Sequence, residues 1–156
     1  GRGKSADWKN EYMEIPVGKG RKIRDGNDLA ILTIGHVGNM ALKACEILEE
    51  IHVEAALYDM RFVKPLDERL IHEVFKKHKC IITVEDGAIT GGFGSAILEF
   101  MSNHDYIVKV KRLGIPDKFI DHGPQKQLYK DCGFDTEGIV NAAKAIVKPS
   151  ILSRVG

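Results

Sequence analysis

A short apolar run followed by two acids and a glycine-rich turn constrains the fold of this chain more than any other stretch. Residues 80–84 are rich in β-branched side chains and too short for a helix, which is typical of a strand buried on both faces of a parallel sheet. Glu85 and Asp86 follow, and a glycine turn at residues 91–94 leads into a helical stretch from Ser95. This order is half of a βαβ unit, and sites in open α/β sheets form at the carboxyl ends of strands.

The composition fits one globular domain and excludes several classes of function. The 156 residues, 44% hydrophobic and 29% charged, suffice for one core. A formal net charge of +1 and the lack of a long apolar run predict neither a nucleic-acid partner nor a membrane partner. The three cysteines are far apart and the histidines lack the close pairing of a zinc site. We therefore expect buried thiols in a reducing compartment, the cytoplasm, and no metal site.

The chain divides by pattern into three parts. Residues 1–17 are polar and irregular and predict a linker that lies on the surface. Residues 18–148 carry the alternating patterns of one domain. Pro149 ends those patterns, so we expect residues 149–156 to form a tail.

Five stretches predict strands, and helical patterns follow four of them. The first, residues 18–24, is basic, which favours an edge strand protected by lysines; the alternative is a phosphate-binding patch. The others are residues 29–34, 53–58, 80–84 and 108–113. Strands that alternate with helices predict an α/β three-layer sandwich with a mostly parallel sheet.

A second glycine turn follows the first buried strand. Gly35, His36 and Gly38 stand before a helical pattern, and N–H groups at such a helix start can bind anions. The turn lacks the full G-x-G-x-x-G fingerprint and the lysine of a phosphate-binding loop, so we favour glycines that only permit a tight turn. A single histidine at the end of a strand is more often structural or solvent-facing than catalytic.

The stretch after the next strand combines a loop, a helix cap and a basic helix end. Asp59 and Arg61 follow the strand and are expected to pair. Asp67 has the position of an N-cap for the next helix. Residues 76–79 are basic throughout and lie at the end of that helix, where cations suit the helix dipole.

Three separate loops together resemble one family. They are Arg-Phe-Val-Lys-Pro-Leu-Asp at residues 61–67, the acidic pair with its glycine turn at 83–95, and Leu-Gly-Ile-Pro-Asp with the stretch after it at 113–123. Their order and spacing are similar to the C-terminal domain of 1-deoxy-D-xylulose-5-phosphate synthases, a transketolase-like family. The resemblance implies a three-layer α/β/α sandwich on a five-stranded mixed sheet with order 1-3-2-4-5 and an antiparallel first strand. This order overrules the hairpin that residues 25–27 suggest locally.

The resemblance also implies what the whole enzyme does. Its members condense pyruvate with glyceraldehyde 3-phosphate and release carbon dioxide, a step toward isoprenoid, thiamine and pyridoxal precursors. They use thiamine diphosphate and a divalent metal, usually Mg²⁺. The family's diphosphate-binding motif and activating glutamate belong to earlier domains, so no catalytic, cofactor-binding or metal residue is assigned to this chain. We expect the fragment to be inactive alone and to bind no cofactor.

The resemblance implies packing against the preceding domains of the same polypeptide and support of a homodimer. The candidate interdomain or dimer contacts are Glu85, Asp86, Gly91, Gly92 and Phe93. The alternative, given equal weight, is that these glycines only allow the turn. The strand order also predicts a switch-point crevice lined by Gly35, His36, Gly38 and residues 85–87.

Three further residues are considered from the family's pattern. Arg2 is a candidate contact to the substrate phosphate, because the family carries an arginine just before this domain. Asp117 and His122 lie in a loop that matches the family, and their approach to the substrate pocket is left open.

Two other interpretations remain open. One is the C-terminal domain of another transketolase-like enzyme, such as a 2-oxoacid dehydrogenase beta subunit, although residues 61–67 and 113–117 favour the synthase. The other is a flavodoxin-like phosphate-binding module that uses residues 35–38 or 91–94 as its anion site. That module would need a nucleotide fingerprint, and none in this sequence is complete.

Overall fold

The computed structural model describes residues 16–89, 91–116 and 124–155. Its strands are β1 (Arg21–Arg24), β2 (Leu29–Ile34), β3 (Ala55–Asp59), β4 (Cys80–Ala88) and β5 (Lys109–Ile115). Its helices are α1 (Gly38–Glu50), α2 (Glu68–Lys77), α3 (Phe93–Asn103), α4 (Gln125–Asp131), α5 (Thr136–Ile146) and α6 (Pro149–Leu152), before a 3-10 turn at Ser153–Val155. Within these residues, no helix combines the length and apolar character that crossing a membrane requires.

The five strands form one mixed sheet in the order β1-β3-β2-β4-β5. β1 pairs with β3 in antiparallel orientation rather than with β2 through a hairpin, and the other three pairings are parallel. Parallel neighbours need long crossover connections, and helices provide them here. The expected strand order and antiparallel first strand are confirmed.

Two hydrophobic clusters lie on opposite faces of the sheet and make the domain a three-layer sandwich. Ile31 and Ile82 belong to the cluster that α1 and α5 cover. Leu32 and Ile81, their neighbours along the same strands, belong to the cluster that α2 and α3 cover. Because successive side chains of a strand point to opposite faces, a continuous apolar run fills both clusters.

β1 and β5 form the two edges of the sheet, and the edge position of β1 confirms what its basic residues predict. Lys109 is exposed on β5, and lysines on an edge discourage pairing with other chains. On β1, Lys22 lies 2.7 Å from Asp25, and Arg24 lies 2.8 Å from Glu49. These ion pairs favour the edge strand over the phosphate-binding patch.

β4 extends four residues beyond the predicted strand. Ala88 still pairs with Ile115 of β5, across an irregularity in the register that begins after Val84. Glu85 and Asp86 therefore lie within the strand and share its alternation. The helix that follows begins at residue 93, two residues earlier than predicted.

The basic end of α2 differs from the prediction at one residue. Lys76 and Lys77 lie in the last turn, as expected. His78 is instead 1% exposed, and burial lowers its pKa from 6.5 to about 4, with Lys77 contributing repulsion. It is a buried neutral side chain rather than a cation at the helix dipole.

The segment after residue 148 continues as a short helix. Ile151 and Leu152 pack against the cluster under α1 and α5. Arg154 donates a hydrogen bond to Asp28 over 2.8 Å between Nη1 and Oδ2. The predicted tail thus includes residues that pack on the domain, and the division into linker, domain and tail stays a prediction.

Candidate functional site

Two consecutive acids of β4 lie at the carboxyl edge of the sheet and serve its opposite faces. Glu85 bonds to the start of α3 on one face, and Asp86 bonds to the turn before α1 on the other. Glu85 is also in register with Ile34, the last residue of β2. β2 therefore ends beside Glu85, where the strand connections reverse, which is the position expected for a site, and β4 continues to Ala88.

The Glu85 carboxylate caps α3. Oε2 accepts a hydrogen bond from Phe93 N at 2.9 Å, and Oε1 accepts one from Gly94 N at 3.0 Å. The first N–H groups of a helix have no partner within it, and their positive end favours an acid. Burial raises the pKa of Glu85, while these two N–H groups and the charge of Arg112 oppose the rise. Both oxygens are thus engaged within the fold.

Asp86 occupies the switch-point crevice. Its Oδ2 accepts a hydrogen bond from His36 N at 3.1 Å. Gly35 has a φ of 86°, and a Cβ built on it would lie 2.8 Å from Asp86 Cγ. Glycine is therefore required there both for its conformation and for the approach of the carboxylate. Gly35, His36 and Gly38 do meet β4, and the carboxylate lies where an external anion would bind.

A serine and an arginine that the sequence analysis did not select hold the glycine turn. Ser95 Oγ accepts hydrogen bonds from Gly91 N at 3.2 Å and Arg112 Nη1 at 3.1 Å. It donates to Ile89 O at 2.8 Å. A serine in the first turn of a helix is a local signal of capping. Arg112 comes from β5, so only the sheet order could have indicated its part.

The N–H groups of the glycine turn are used within the domain. Gly92 N donates to Ile89 O at 3.3 Å, while the N–H groups on either side bond to Ser95 and Glu85 as described. An anion at the start of α3 would have to displace the Glu85 carboxylate. Residues 91–94 therefore lack the free donors that a phosphate site at a helix start needs.

A surface depression of about 510 Å³ lies beside these caps. It is lined by Val63, Lys64, Glu85, Gly87, Gly91, Gly92 and Phe93. The loop after β3 and the glycine turn before α3 thus form one surface at the carboxyl edge. Its charged groups are an exposed lysine and a carboxylate that is already bonded to backbone N–H groups.

The loop after β3 is held by two acids. Arg61 Nε lies 3.5 Å from Asp59 Oδ2, which confirms the predicted pair. Burial raises the pKa of Asp59, and Arg61 opposes the rise through its charge and a backbone hydrogen bond. The predicted N-cap is also confirmed, since Asp67 Oδ1 accepts from Leu70 N at 3.1 Å. Asp67 Oδ2 accepts from Gly20 N at 2.9 Å and ties this loop to the segment before β1.

Three residues named from the sequence, Arg2, Asp117 and His122, lie outside the described residues. Within the described part of the chain, no three His, Cys, Asp or Glu side chains form a group that could hold a metal ion. The acids at the carboxyl edge serve there as hydrogen-bond acceptors for backbone N–H groups.

The family model for the transketolase C-terminal domain matches residues 18–139. The chain belongs to this family. A solved structure described as a split gene transketolase, inactive beta4 tetramer, is similar with a TM-score of 0.78 and 28% identity. The similarity covers 85% of this chain and 43% of that one. The expected transketolase-type fold is therefore confirmed.

Curated relatives narrow the similarity to the synthases that the three loops resemble. The 1-deoxy-D-xylulose-5-phosphate synthase of Cytophaga hutchinsonii is 53% identical over 144 residues, which are 92% of this chain and 23% of the relative. That of Bacteroides fragilis is 55% identical over 140 residues, or 89% of this chain and 22% of the relative. The resemblance is confirmed, and the chain spans less than a quarter of the length of these relatives.

Proposed function

We propose that this chain is the C-terminal domain of a 1-deoxy-D-xylulose-5-phosphate synthase. The observation that carries the proposal is its 53% identity to the Cytophaga hutchinsonii synthase over 92% of the chain. The whole enzyme is a cytoplasmic homodimer that condenses pyruvate with glyceraldehyde 3-phosphate and releases carbon dioxide.

The part of this domain in that enzyme is to pack and to assemble. Glu85 and Asp86 are both bonded to backbone N–H groups, which supports a role in shaping the carboxyl edge rather than in proton transfer. Gly91 and Gly92, which border the same depression as Glu85, form a surface for contact with the rest of the enzyme. Phe93 is fully buried and Asp86 serves the other face of the sheet, so these two support that surface from within the domain.

Thiamine diphosphate and Mg²⁺ bind to other parts of the polypeptide. Mg²⁺ on a diphosphate takes phosphate and water oxygens and one or two carboxylate oxygens in octahedral geometry. Glu85 and Asp86, the acids at the described carboxyl edge, bond instead to backbone N–H groups of this domain, which supports a site for the pair elsewhere in the polypeptide. When bound, the cofactor supplies the carbanion chemistry of the reaction.

The two other interpretations have less support. The identity to curated synthases favours the synthase over a 2-oxoacid dehydrogenase beta subunit. A flavodoxin-like phosphate-binding module would need free N–H groups in one of the two glycine turns. Residues 91–94 donate within the domain, and the Asp86 carboxylate bonds to the turn at 35–38.

Carbon dioxide release from labelled pyruvate tests the proposal. The chain replaces the matching 144 residues of the Cytophaga hutchinsonii synthase. The chimera is then assayed with glyceraldehyde 3-phosphate, thiamine diphosphate and Mg²⁺. We expect kcat/KM within about tenfold of the relative and no release by the chain alone. The relative without its matching segment is the control and should be inactive.

Two results would contradict the proposal. One is a chimera that is folded and assembled like the relative but releases no carbon dioxide. The other is release by the chain alone, because the catalytic groups would then lie within it.

A further inference from the structure

Gly87 is a glycine that the described fold does not require. It lies in β4 without a positive φ, and a Cβ built on it would meet no atom of the described residues within 4 Å. Gly114 on the neighbouring strand differs, because its Cβ would lie 3.0 Å from Glu85 Cγ and from Gly87 O. A glycine within a strand weakens it, and one recognised reason for its presence is the close approach of another backbone.

The space above Gly87 belongs to the depression at the carboxyl edge. Val63, which is half-buried, gives this depression an apolar wall, and Lys64 stands exposed at its rim. Glu85, its acid, is already engaged by two backbone N–H groups. The surface therefore suits a polypeptide segment with an apolar side chain and an acidic neighbour better than it suits a free anion.

The polypeptide enters the domain beside this depression. A Cβ on Gly18 would lie 2.9 Å from Pro65 Cγ, and Gly20 N donates to Asp67 Oδ2 at 2.9 Å. Pro65 and Asp67 belong to the same loop as two of the lining residues. Residues 18–20 therefore lie next to the depression, and the Cytophaga hutchinsonii relative is more than four times as long as the matched segment.

We infer that a backbone segment of the preceding domain of the same polypeptide lies in this depression, against Gly87. The inference rests on the proposed function, which supplies that domain. The segment places an apolar side chain against Val63 and an acidic group near Lys64. A side chain at position 87 would take the space that the segment occupies.

Thiol labelling tests the inference directly. Gly87→Cys is made with Cys132→Ser, because Cys45 and Cys80 are buried and Cys132 is only half-buried. A maleimide labels the chain alone and the chimera with the Cytophaga hutchinsonii synthase. We expect labelling at least about tenfold slower in the chimera. Lys109→Cys, exposed at the opposite end of the sheet, is the matched control and should label equally in both proteins.

The cysteine at position 87 could itself displace the segment and so be labelled in both proteins. Gly87→Leu is a second test that does not depend on labelling. We expect it to leave the thermal midpoint of the chain alone unchanged and to lower that of the chimera by about 4 °C or more. Equal labelling in both proteins together with a tolerated leucine would overturn the inference. The inference would also be overturned if the cysteine in the chain alone were labelled more slowly at higher protein concentration, because a second copy of the chain would then cover this surface.

These readouts do not require catalysis. Protection in a chimera that releases no carbon dioxide would keep the inference and remove the proposed function. An active chimera in which Gly87→Cys is labelled at the same rate as in the chain alone, and in which Gly87→Leu is tolerated, would keep the proposed function and remove the inference.

Discussion

A single buried histidine gives this fold a defined sensitivity to acid. His78 is 1% exposed, and among the described residues neither of its ring nitrogens has a hydrogen-bond partner. Burial lowers its pKa to about 4, and the charge of Lys77 acts in the same direction. The fold therefore accepts the neutral ring and resists the protonated one.

The free energy of unfolding should fall as the pH drops from 6.5 to about 4. Above this window the ring is neutral in both states, so the full stability is present. Within it, the unfolded chain binds a proton that the folded chain refuses, and the loss approaches about 3 kcal/mol at the lower end. His78→Leu should remove that slope, as measured by urea unfolding across the window.

His36→Gln is the matched control, because His36 is exposed. Its slope should equal that of the unchanged chain. Asp59 and Glu85, whose pKa values are raised by burial, are present in all three proteins, so the comparison isolates His78. Equal slopes for the unchanged chain and His78→Leu would refute this account.

The burial of His78 could not be predicted from its neighbours. Three lysines surround it at the end of a helix, which is a pattern of exposed residues. The chain turns from α2 into β4 at this point, and the direction of that turn buries His78. Among residues 76–79, histidine is the side chain that is easily neutral near pH 7. Asp67 and the Asp59–Arg61 pair were predictable, because their partners are within three residues.

At the scale of elements, α3 depends on a cap supplied by β4. Gln at position 85 keeps the shape of the side chain but has one acceptor oxygen in place of two. Glu85→Gln should therefore leave Phe93 N or Gly94 N without its bond and lower the free energy of unfolding by about 1–2 kcal/mol. Urea unfolding measures the loss, and amide exchange at the first turn of α3 locates it.

Asp86→Asn is the matched change on the opposite face of the strand. Among the described residues, one carboxylate oxygen of Asp86 accepts a bond, from His36 N, and asparagine keeps an acceptor there. We expect a change below about 0.5 kcal/mol. A loss as large as that of Glu85→Gln would mean that charge, rather than the number of acceptors, stabilises this edge.

The sequence placed these two acids shortly before the glycine turn of α3, but it did not indicate which acid bonds to which helix start. That assignment requires knowing which face of the sheet each side chain of β4 points to at residues 85 and 86. The predicted strand stopped at residue 84, while the observed strand continues to Ala88. Ser95 carried a local signal and Arg112 did not, because Arg112 reaches the turn from β5. Local patterns thus indicate caps within an element and miss those made across the sheet.

At the scale of the molecule, the sheet order came from the resemblance and not from local patterns. Residues 25–27 suggest a hairpin, yet β1 pairs with β3, which lies some thirty residues further along the chain. Pairing at this separation depends on how the whole sheet buries its faces. Alternation of strands and helices was sufficient to predict the three layers, because each apolar run needs cover on both sides.

The end of the chain should contribute to the stability of the whole domain. Arg154 bonds to Asp28, whose side chain is 6% exposed and also accepts from Glu54 N at 2.7 Å. Truncation after Lys148 removes this pair and the packing of Ile151 and Leu152, so we expect urea unfolding to show a loss of about 2–3 kcal/mol. Arg154→Ala alone should cost about 1 kcal/mol. Lys148→Ala is the control and should cost nothing measurable; a truncated chain as stable as the whole one would show that these contacts add no stability.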